Sequence, residues 1–314
     1  MRAAIIADDL TGACDSAARA ALAGWRPRVL LKGAQAGLDI SVISTSTRNL
    51  AEESAAEAVT QAARALMARG VRPLFKKIDS VLRGPWAAEV AALSRVTAAE
   101  VVAVCPAFPA CGRTVRGGVV YRHGETLGAL APALEAAGLG GAGPALVLGD
   151  AETEQDLASF VDSVAARGRG VLWVGSAGLA RYAFGQRDWV PAPSPRVTRW
   201  LIVAGSSHPA TLAQLEEARS AGLEVVEANL AAATVQPGLE SGTALGLFFI
   251  GGYTAERAVR HLCAGALDVQ GEALPGIALG RIVGGLADGL PFLSKSGGFG
   301  TAGAVVQAIQ VLRP

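Results

Sequence analysis

The stretch AAIIADDLTGACDSA, residues 3–17, sets the reading of the whole chain. Residues 3–7 form a short apolar run of strand length. Asp8 and Asp9 stand at its carboxyl end, and Thr11-Gly12 turns into a helical stretch. The plan recurs: 28–31, 40–44, 74–78, 101–105 and 145–148 read as buried parallel strands. Alanine-rich stretches at helical spacing, such as 51–68 and 85–93, separate them. Strand and helix in alternation predict an α/β fold with a mostly parallel sheet.

At 314 residues the chain exceeds the size at which a single core stops growing, so two domains are expected. The break falls at RDWVPAPSPRVTRW, where Pro191, Pro193 and Pro195 can continue neither a helix nor a central strand. The domains are therefore placed at 1–190 and 197–314. In the second, 201–204, 224–227, 246–250 and 281–284 read as strands, with helices over 210–221 and 255–264, so it is α/β as well.

Composition narrows the partners. Charges nearly cancel, 28 basic against 27 acidic, with no block of one sign, which argues against a nucleic-acid or membrane surface and for a small molecule. No apolar run approaches the roughly 18 residues needed to span a bilayer. The chain moves from Met1 directly into a strand-like run with no leader pattern, so a cytoplasmic location is expected. Cys14, Cys105, Cys111 and Cys263 lack C-x-x-C spacing and are expected to be buried, reduced thiols. His123, His208 and His261 are scattered without metal-ligand spacing; His123 and His261 are expected to be structural, while His208 stays open.

Ligands of open α/β sheets bind at the carboxyl ends of the strands. There, one of Asp8 and Asp9 can meet a ligand while the other caps the following helix; Asp15 is expected on the helix surface. In FKKIDSVLRGPW, Lys76, Lys77, Asp79, Ser80 and Arg83 gather at a strand exit, a set suited to carboxylates and hydroxyls. In CPAFPACGRT, Pro106, Pro109 and Gly112 make a rigid loop that carries Arg113 and Thr114, and its polar tip can close over an anion.

The second half carries three glycine-bearing turns between strand and helix: Gly205-Ser206-Ser207 with His208, Gly251-Gly252 with Thr254, and KSGGFG, residues 295–300. Such turns aim backbone N–H groups and a helix dipole at one spot, and three on one sheet edge suit a nucleotide's phosphates. Gly298, Gly300 and Gly303 spell G-x-G-x-x-G, but no second strand and acidic residue follow, so a nicotinamide dinucleotide is the weaker reading. No G-x-x-x-x-G-K-[ST] is present.

Taken in order, IADDLTGACDSA, KKIDSVLRG, PAFPACGRT, VGSAGLA, GSSHPAT, GGYTA and KSGGFG resemble the motif series of the four-carbon acid sugar kinases, over almost the whole chain. The resemblance implies an amino-terminal domain that holds a sugar acid, a carboxy-terminal domain that binds ATP, and a cleft between them. It also implies transfer to the terminal hydroxyl of a threonate, erythronate or 3-oxo-tetronate, with Mg²⁺ on the phosphates. The candidate substrate residues are then Asp8, Asp9, Thr11, Lys77, Asp79, Ser80, Arg83 and Arg113. The candidate nucleotide residues are Ser206, Ser207, His208, Gly251, Gly252, Thr254, Lys295, Gly297, Gly298, Phe299 and Gly300. Asp8 or Asp9 is expected to be the base, with Lys295 neutralising charge in the transition state. The chain is shorter than is usual for the family, and His208, Tyr253 and Thr301 depart from its usual residues. These departures keep a non-catalytic sensor of sugar acid or nucleotide as the rival reading, and homo-oligomerisation is left open.

Overall fold

The computed structural model describes residues 2–31, 39–141, 143–168, 170–191, 197–205, 207–240 and 244–312. Its first half runs β1 (Arg2–Ala7), α1 (Leu10–Leu22), β2 (Pro27–Leu30), β3 (Ile40–Ser44), α2 (Glu52–Met67), β4 (Val71–Lys77), α3 (Trp86–Thr97), β5 (Val101–Cys105), β6 (Arg113–Arg116), β7 (Val119–Arg122), β8 (Glu125–Ala129), α4 (Leu130–Ala136), β9 (Ala145–Leu148), α5 (Glu154–Ala165), β10 (Val171–Gly175) and α6 (Ala177–Ala180). The second half runs β11 (Arg199–Ala204), α7 (Pro209–Ser220), β12 (Glu224–Val226), α8 (Ala231–Glu240), β13 (Leu245–Ile250), α9 (Gly252–His261), β14 (Ala266–Leu274), β15 (Ile277–Val283), β16 (Pro291–Lys295) and α10 (Ala304–Val311).

The α/β expectation holds. Among the described residues the strands form one 13-stranded sheet, in the order β12-β11-β13-β16-β15-β14-β2-β3-β1-β4-β10-β5-β9, and a small antiparallel sheet β6-β7-β8. From β2 to β9 every neighbouring pair is parallel, and so is every pair from β12 to β16. Between the two sets lies the antiparallel hairpin β14-β15, joined to β2 at Ala266, Leu267 and Asp268 and to β16 along Ile277–Arg281. The two parallel sets therefore run in opposite directions. The hairpin carries two register shifts, at Val269/Gly271 and Glu272/Leu274, and bulges of this kind bend and twist a strand.

Strand alternation divides the interior of the second half. Leu201, Val203, Leu247 and Phe249 point into the core shared with Ile5, Ile6 and Val42; Trp200, Ile202, Phe248 and Ile250 point to a separate core with Leu293, Val305 and Ile309. Helix α1 sits in the middle, against β14, β2, β3, α6 and α9. Every one of its residues but Leu22 is buried, which its run of Ala and Gly permits because only small side chains let neighbours close in from all sides.

Several expectations need correction. Asp15 is not on the surface of α1; it is buried. Cys14 and Cys105 are buried, and burial pushes both thiols up to about 12, but Cys111 is half-buried and Cys263 exposed, since Cys263 follows the carboxyl end of α9 at a left-handed turn. His261 is exposed in the last turn of α9, and His123 is exposed in a left-handed turn with its ring packed on Gly112. β6–β8, β10 and β14 were not foreseen; in β14, polar Asp268, Gln270 and Glu272 interrupt the apolar residues. Pro193 and Pro195 of the expected boundary lie outside the described residues.

Candidate active site

Register places the candidate turns in two rows. In the first half, Ala7 of β1 stands level with Ser44 of β3 and Lys77 of β4, so Asp8-Asp9, residues 45–48 and residues 78–83 leave the sheet side by side. In the second half, Ala204, Ile250 and Lys295 are level, so the three glycine turns also share one edge. The rows meet: the carboxylate of Asp9 lies against Gly252, filling the space that a Cβ there would take.

The first row is built around Arg48, a residue that sequence reasoning missed. Its Nε donates to Asp8 Oδ2 at 2.8 Å, its Nη1 donates to Asp9 Oδ2 at 2.8 Å, and Nη1 stands 3.3 Å from Asp79 Oδ2. Burial would lower its pKa, but the three carboxylates together hold it above the ordinary value. Burial would raise Asp8, yet the charges of Arg48, Lys77 and Lys76 outweigh it and bring Asp8 down to about 2. Asp9 caps α1: Oδ1 accepts from the Gly12 amide at 2.8 Å, and Oδ2 accepts from Thr11 Oγ1 at 2.9 Å. Asp79 accepts from the Val81 amide at 2.7 Å and from Arg83 Nε at 2.8 Å. Lys77 Nζ donates to the Ile78 carbonyl at 2.7 Å and lies beside Gly12, whereas Lys76 is spent in a fully buried pair with Glu89 at 2.9 Å. The signal for Arg48 was in the sequence, because TSTR follows the predicted strand 40–44 as directly as ADD follows 3–7.

The second row supplies amides. Gly251 caps α9 with φ 91°, a conformation glycine adopts without strain, and Gly252 and Thr254 begin the helix. His208 caps α7, its Nδ1 accepting from the Ala210 amide at 3.2 Å. The KSGGFG turn is fixed from below: Thr211 Oγ1 donates to the Gly297 carbonyl at 2.9 Å, and Gln214 Nε2 donates to the Phe299, Gly300 and Thr301 carbonyls at 2.9, 3.2 and 2.9 Å. Lys295 is 1% exposed and lies behind this turn, its Nζ donating to the Ser296 carbonyl at 2.8 Å. Burial brings it down to about 7, and no carboxylate among the described residues pairs with it. Gly300 takes φ 82° and packs on Ala304 rather than facing the cleft.

The rows enclose a continuous cleft. An acid pocket is lined by Asp9, Thr11, Asp15, Lys77, Ser80 and Arg83, among others. It shares Asp9, Arg48, Arg83 and Ser296 with a second compartment that also touches Ser207, His208, Gly251, Gly252, Thr254, Gly297 and Gly298. That compartment opens in turn, past Gly205, Tyr253 and Thr254, into a larger one lined by Glu227, Asn229 and Arg257. Arg113 stands at the other side: its guanidinium covers the Phe299 ring at 4.7 Å and contacts the Cys111 carbonyl, and with Arg122, His123 and His208 it lines a flanking basic cavity. Asp8 and Lys295 sit one layer back from these walls, and Ser206 lies outside the described residues.

Comparison with known proteins finds two domain models in the chain. Residues 3–131 match the model of a sugar-binding N-terminal domain, and residues 221–305 that of a nucleotide-binding C-terminal domain. A D-threonate kinase of Bordetella bronchiseptica is 30% identical over 394 aligned positions that cover 98% of this chain and 97% of the relative. A D-threonate kinase of Cupriavidus necator is 38% identical over 56% of this chain and 52% of its own, and a D-erythronate kinase of Heliobacterium modesticaldum 36% identical over 38% and 29%. Among solved structures, a Haemophilus influenzae protein superimposes with a TM-score of 0.71 at 17% identity, covering 98% of this chain and 100% of that one, which shows the fold. A Bordetella bronchiseptica domain, crystallised with bound citrate as a domain-swapped dimer, is 27% identical with a TM-score of 0.50 over 99% and 98%. Matched along its whole length by such a relative, with both domain models in their expected order, the chain belongs to the four-carbon acid sugar kinase family.

Proposed function

We propose that the protein transfers the γ-phosphoryl group of ATP to the terminal hydroxyl of a four-carbon sugar acid of the threonate, erythronate or 3-oxo-tetronate class. The observation that carries this reading is the shared wall of Asp9, Arg48, Arg83 and Ser296 between an acid-and-arginine pocket and a compartment of glycine turns. One pocket suits a hydroxylated carboxylate, the other suits phosphates, and the wall between them is where a phosphoryl group would pass. Residues 1–190 would hold the sugar acid and 197–314 the nucleotide. Thr11, Lys77, Ser80 and Arg83 offer hydrogen bonds to the sugar acid, and Arg113 a further positive charge at the flank.

Phosphoryl transfer asks little covalent chemistry of the protein, so positioning and charge dominate. The amides at the starts of α7 and α9 and the Gly297-Gly298 turn would cradle the phosphates. Arg48 and Arg83, held by Asp8, Asp9 and Asp79, would face the charge that develops between the compartments. Asp9, which faces both compartments, is the carboxylate placed to accept the hydroxyl proton; Asp8 stands behind Arg48 and serves to orient it. Among the described residues no cluster of three or more His, Cys, Asp or Glu forms a dedicated metal site. Mg²⁺ carried by nucleotide phosphates needs only one or two protein carboxylates, and the carboxylate at this wall fits that requirement. Lys295 supports the turn from beneath and adds charge under it.

Incubation of the protein with ATP, Mg²⁺ and a panel of threonates, erythronates and oxo-tetronates tests the reading. A phosphorylated tetronate with matching ADP release is the expected result. Ligand-induced stabilisation without ADP release above background would replace the kinase with a sensor.

A further inference from the structure

Asp15 faces the acid pocket from the second turn of α1, beside Thr11, Lys77 and Phe299. It is 7% exposed, and its Oδ1 is buried with no hydrogen-bond partner among the described residues. Buried acceptors are nearly always partnered, and one left without a partner is costly. Nothing on α1 or the strands beside it satisfies this oxygen, and the same residue lines the pocket, where its carboxyl group can meet a ligand. Asp15 lines the acid pocket but not the compartment of glycine turns, so it stands at the end away from the phosphoryl path.

The charged and titratable surroundings of Asp15 come from several elements. Asp9 and Arg19 belong to its own segment, Lys77 to the end of β4, Glu272 to β14 and Cys111 to the turn before β6. Arg19 is divided, with Nη2 2.6 Å from Glu154 and Nη1 3.6 Å from Glu272. Burial first and the neighbouring Glu272 second push Asp15 up to about 7, against the pull of Lys77 and Arg19. Glu272 is also raised, chiefly by burial, and the Cys111 thiol is pushed up by burial and by Asp15.

We propose that Asp15 is a specificity-determining residue of the acid pocket, its carboxyl group hydrogen-bonding a hydroxyl of the sugar acid remote from the one that is phosphorylated. The assignment rests on the sugar-acid reading above. In the protonated form the carboxyl both donates and accepts; in the ionised form it places a second negative charge beside an anionic ligand. Affinity for the sugar acid therefore falls as pH rises through about 7.

Calorimetric titration of wild type, Asp15→Asn and Asp15→Ala with D-threonate and D-erythronate, at pH 6 and pH 8.5, tests this, with ADP binding measured alongside. Loss of a buried hydrogen bond should weaken the preferred tetronate about tenfold or more in Asp15→Ala at pH 6 and narrow the preference between the two acids, with ADP affinity unchanged. Asp15→Asn, a neutral isostere, should bind like wild type at pH 6 and lack its weakening at pH 8.5. A merely structural Asp15 would not move that pH profile, and Asp15→Asn carries the test if the alanine variant does not fold. Wild-type affinity for both acids in Asp15→Ala, or a wild-type pH profile in Asp15→Asn, overturns the assignment. Asp15-dependent binding without phosphoryl transfer removes the kinase reading and keeps this one; absence of tetronate binding to wild type removes both.

Discussion

Asp9 and Gly252 touch across the meeting of the two half-sheets, with the carboxylate of one in the space where the other lacks a side chain. Asp9 cannot simply swing away, because the Gly12 amide, Thr11 and Arg48 all hold it. Gly252→Ala should therefore displace the carboxylate, and misplacement on the scale of 1 Å lowers kcat by about 100-fold. Overpacking should also cost about 1–3 kcal/mol of stability. Steady-state kinetics and a melting curve read both; an unchanged kcat would take Asp9 out of the chemistry.

Arg48→Met should be among the most destabilising single changes in the first half. It strands Asp8, 3% exposed at the side chain, while Asp79 keeps Arg83 and the Val81 amide, and removing one partner of a buried ion pair costs about 3–5 kcal/mol. The loss should depend on pH. Asp8 is held at about 2 against its ordinary 3.8, so its contribution is present above 3.8 and disappears as pH falls toward 2. Denaturant midpoints for wild type and Arg48→Met should converge over that window. Parallel curves would show that the pair does not govern Asp8.

Lys295 gives a prediction of opposite sense. Burial lowers it to about 7 from 10.5, so between those values the folded chain binds fewer protons than the unfolded one, and the cost of burying this lysine is largest below pH 7 and fades above it. Phosphates seated on the turn above would favour the charged form. ATP binding should then take up a proton above pH 7 and weaken as pH rises, visible as buffer-dependent heats of binding. Lys295→Met should abolish the proton uptake, and its persistence in that variant would assign it elsewhere.

Gly298 and Gly300 should fail differently. A Cβ at Gly298 meets only His208, at an ordinary 3.4 Å, and the residue lines the compartment proposed for phosphates, so Gly298→Val should fold and lose ATP affinity. At Gly300 the backbone has φ 82° and a Cβ falls 2.6 Å from that of Ala304, so Gly300→Val should melt lower by about 1–3 kcal/mol and keep its affinity where folded. Normal ATP affinity in Gly298→Val would withdraw the phosphate assignment from this turn.

The sheet strands were legible where apolar runs are short and bounded: 40–44 and 145–148 coincide with β3 and β9, the first largely buried and the second a half-buried edge strand. β14 was not, since one polar residue in two hides a strand whose register is set by distant partners. Within the site, the carboxyl-edge rule found Asp9, Asp79 and Arg83, and failed on Arg48 only because it was not applied to the third strand exit. Asp15 was misjudged for a different reason. A charged residue on an alanine-rich helix reads as solvent-facing until it is known that a second half-sheet closes over that helix, and no local pattern carries that information.

Helix α1, enclosed on nearly every side, makes the spacing of the cleft a function of how little its side chains occupy. A surface helix such as α2 has one buried stripe, at Ala55, Val59, Ala63 and Leu66, and can accept change on the rest of its circumference. α1 has no such margin. Enlarging Ala17 or Ala18 pushes on neighbours in both halves at once, and the strain can relax only by moving the half that carries Asp9 away from the half that carries Gly252. The tolerance of this protein to sequence drift should therefore be lowest not at the residues that meet a ligand but along a helix face that meets none.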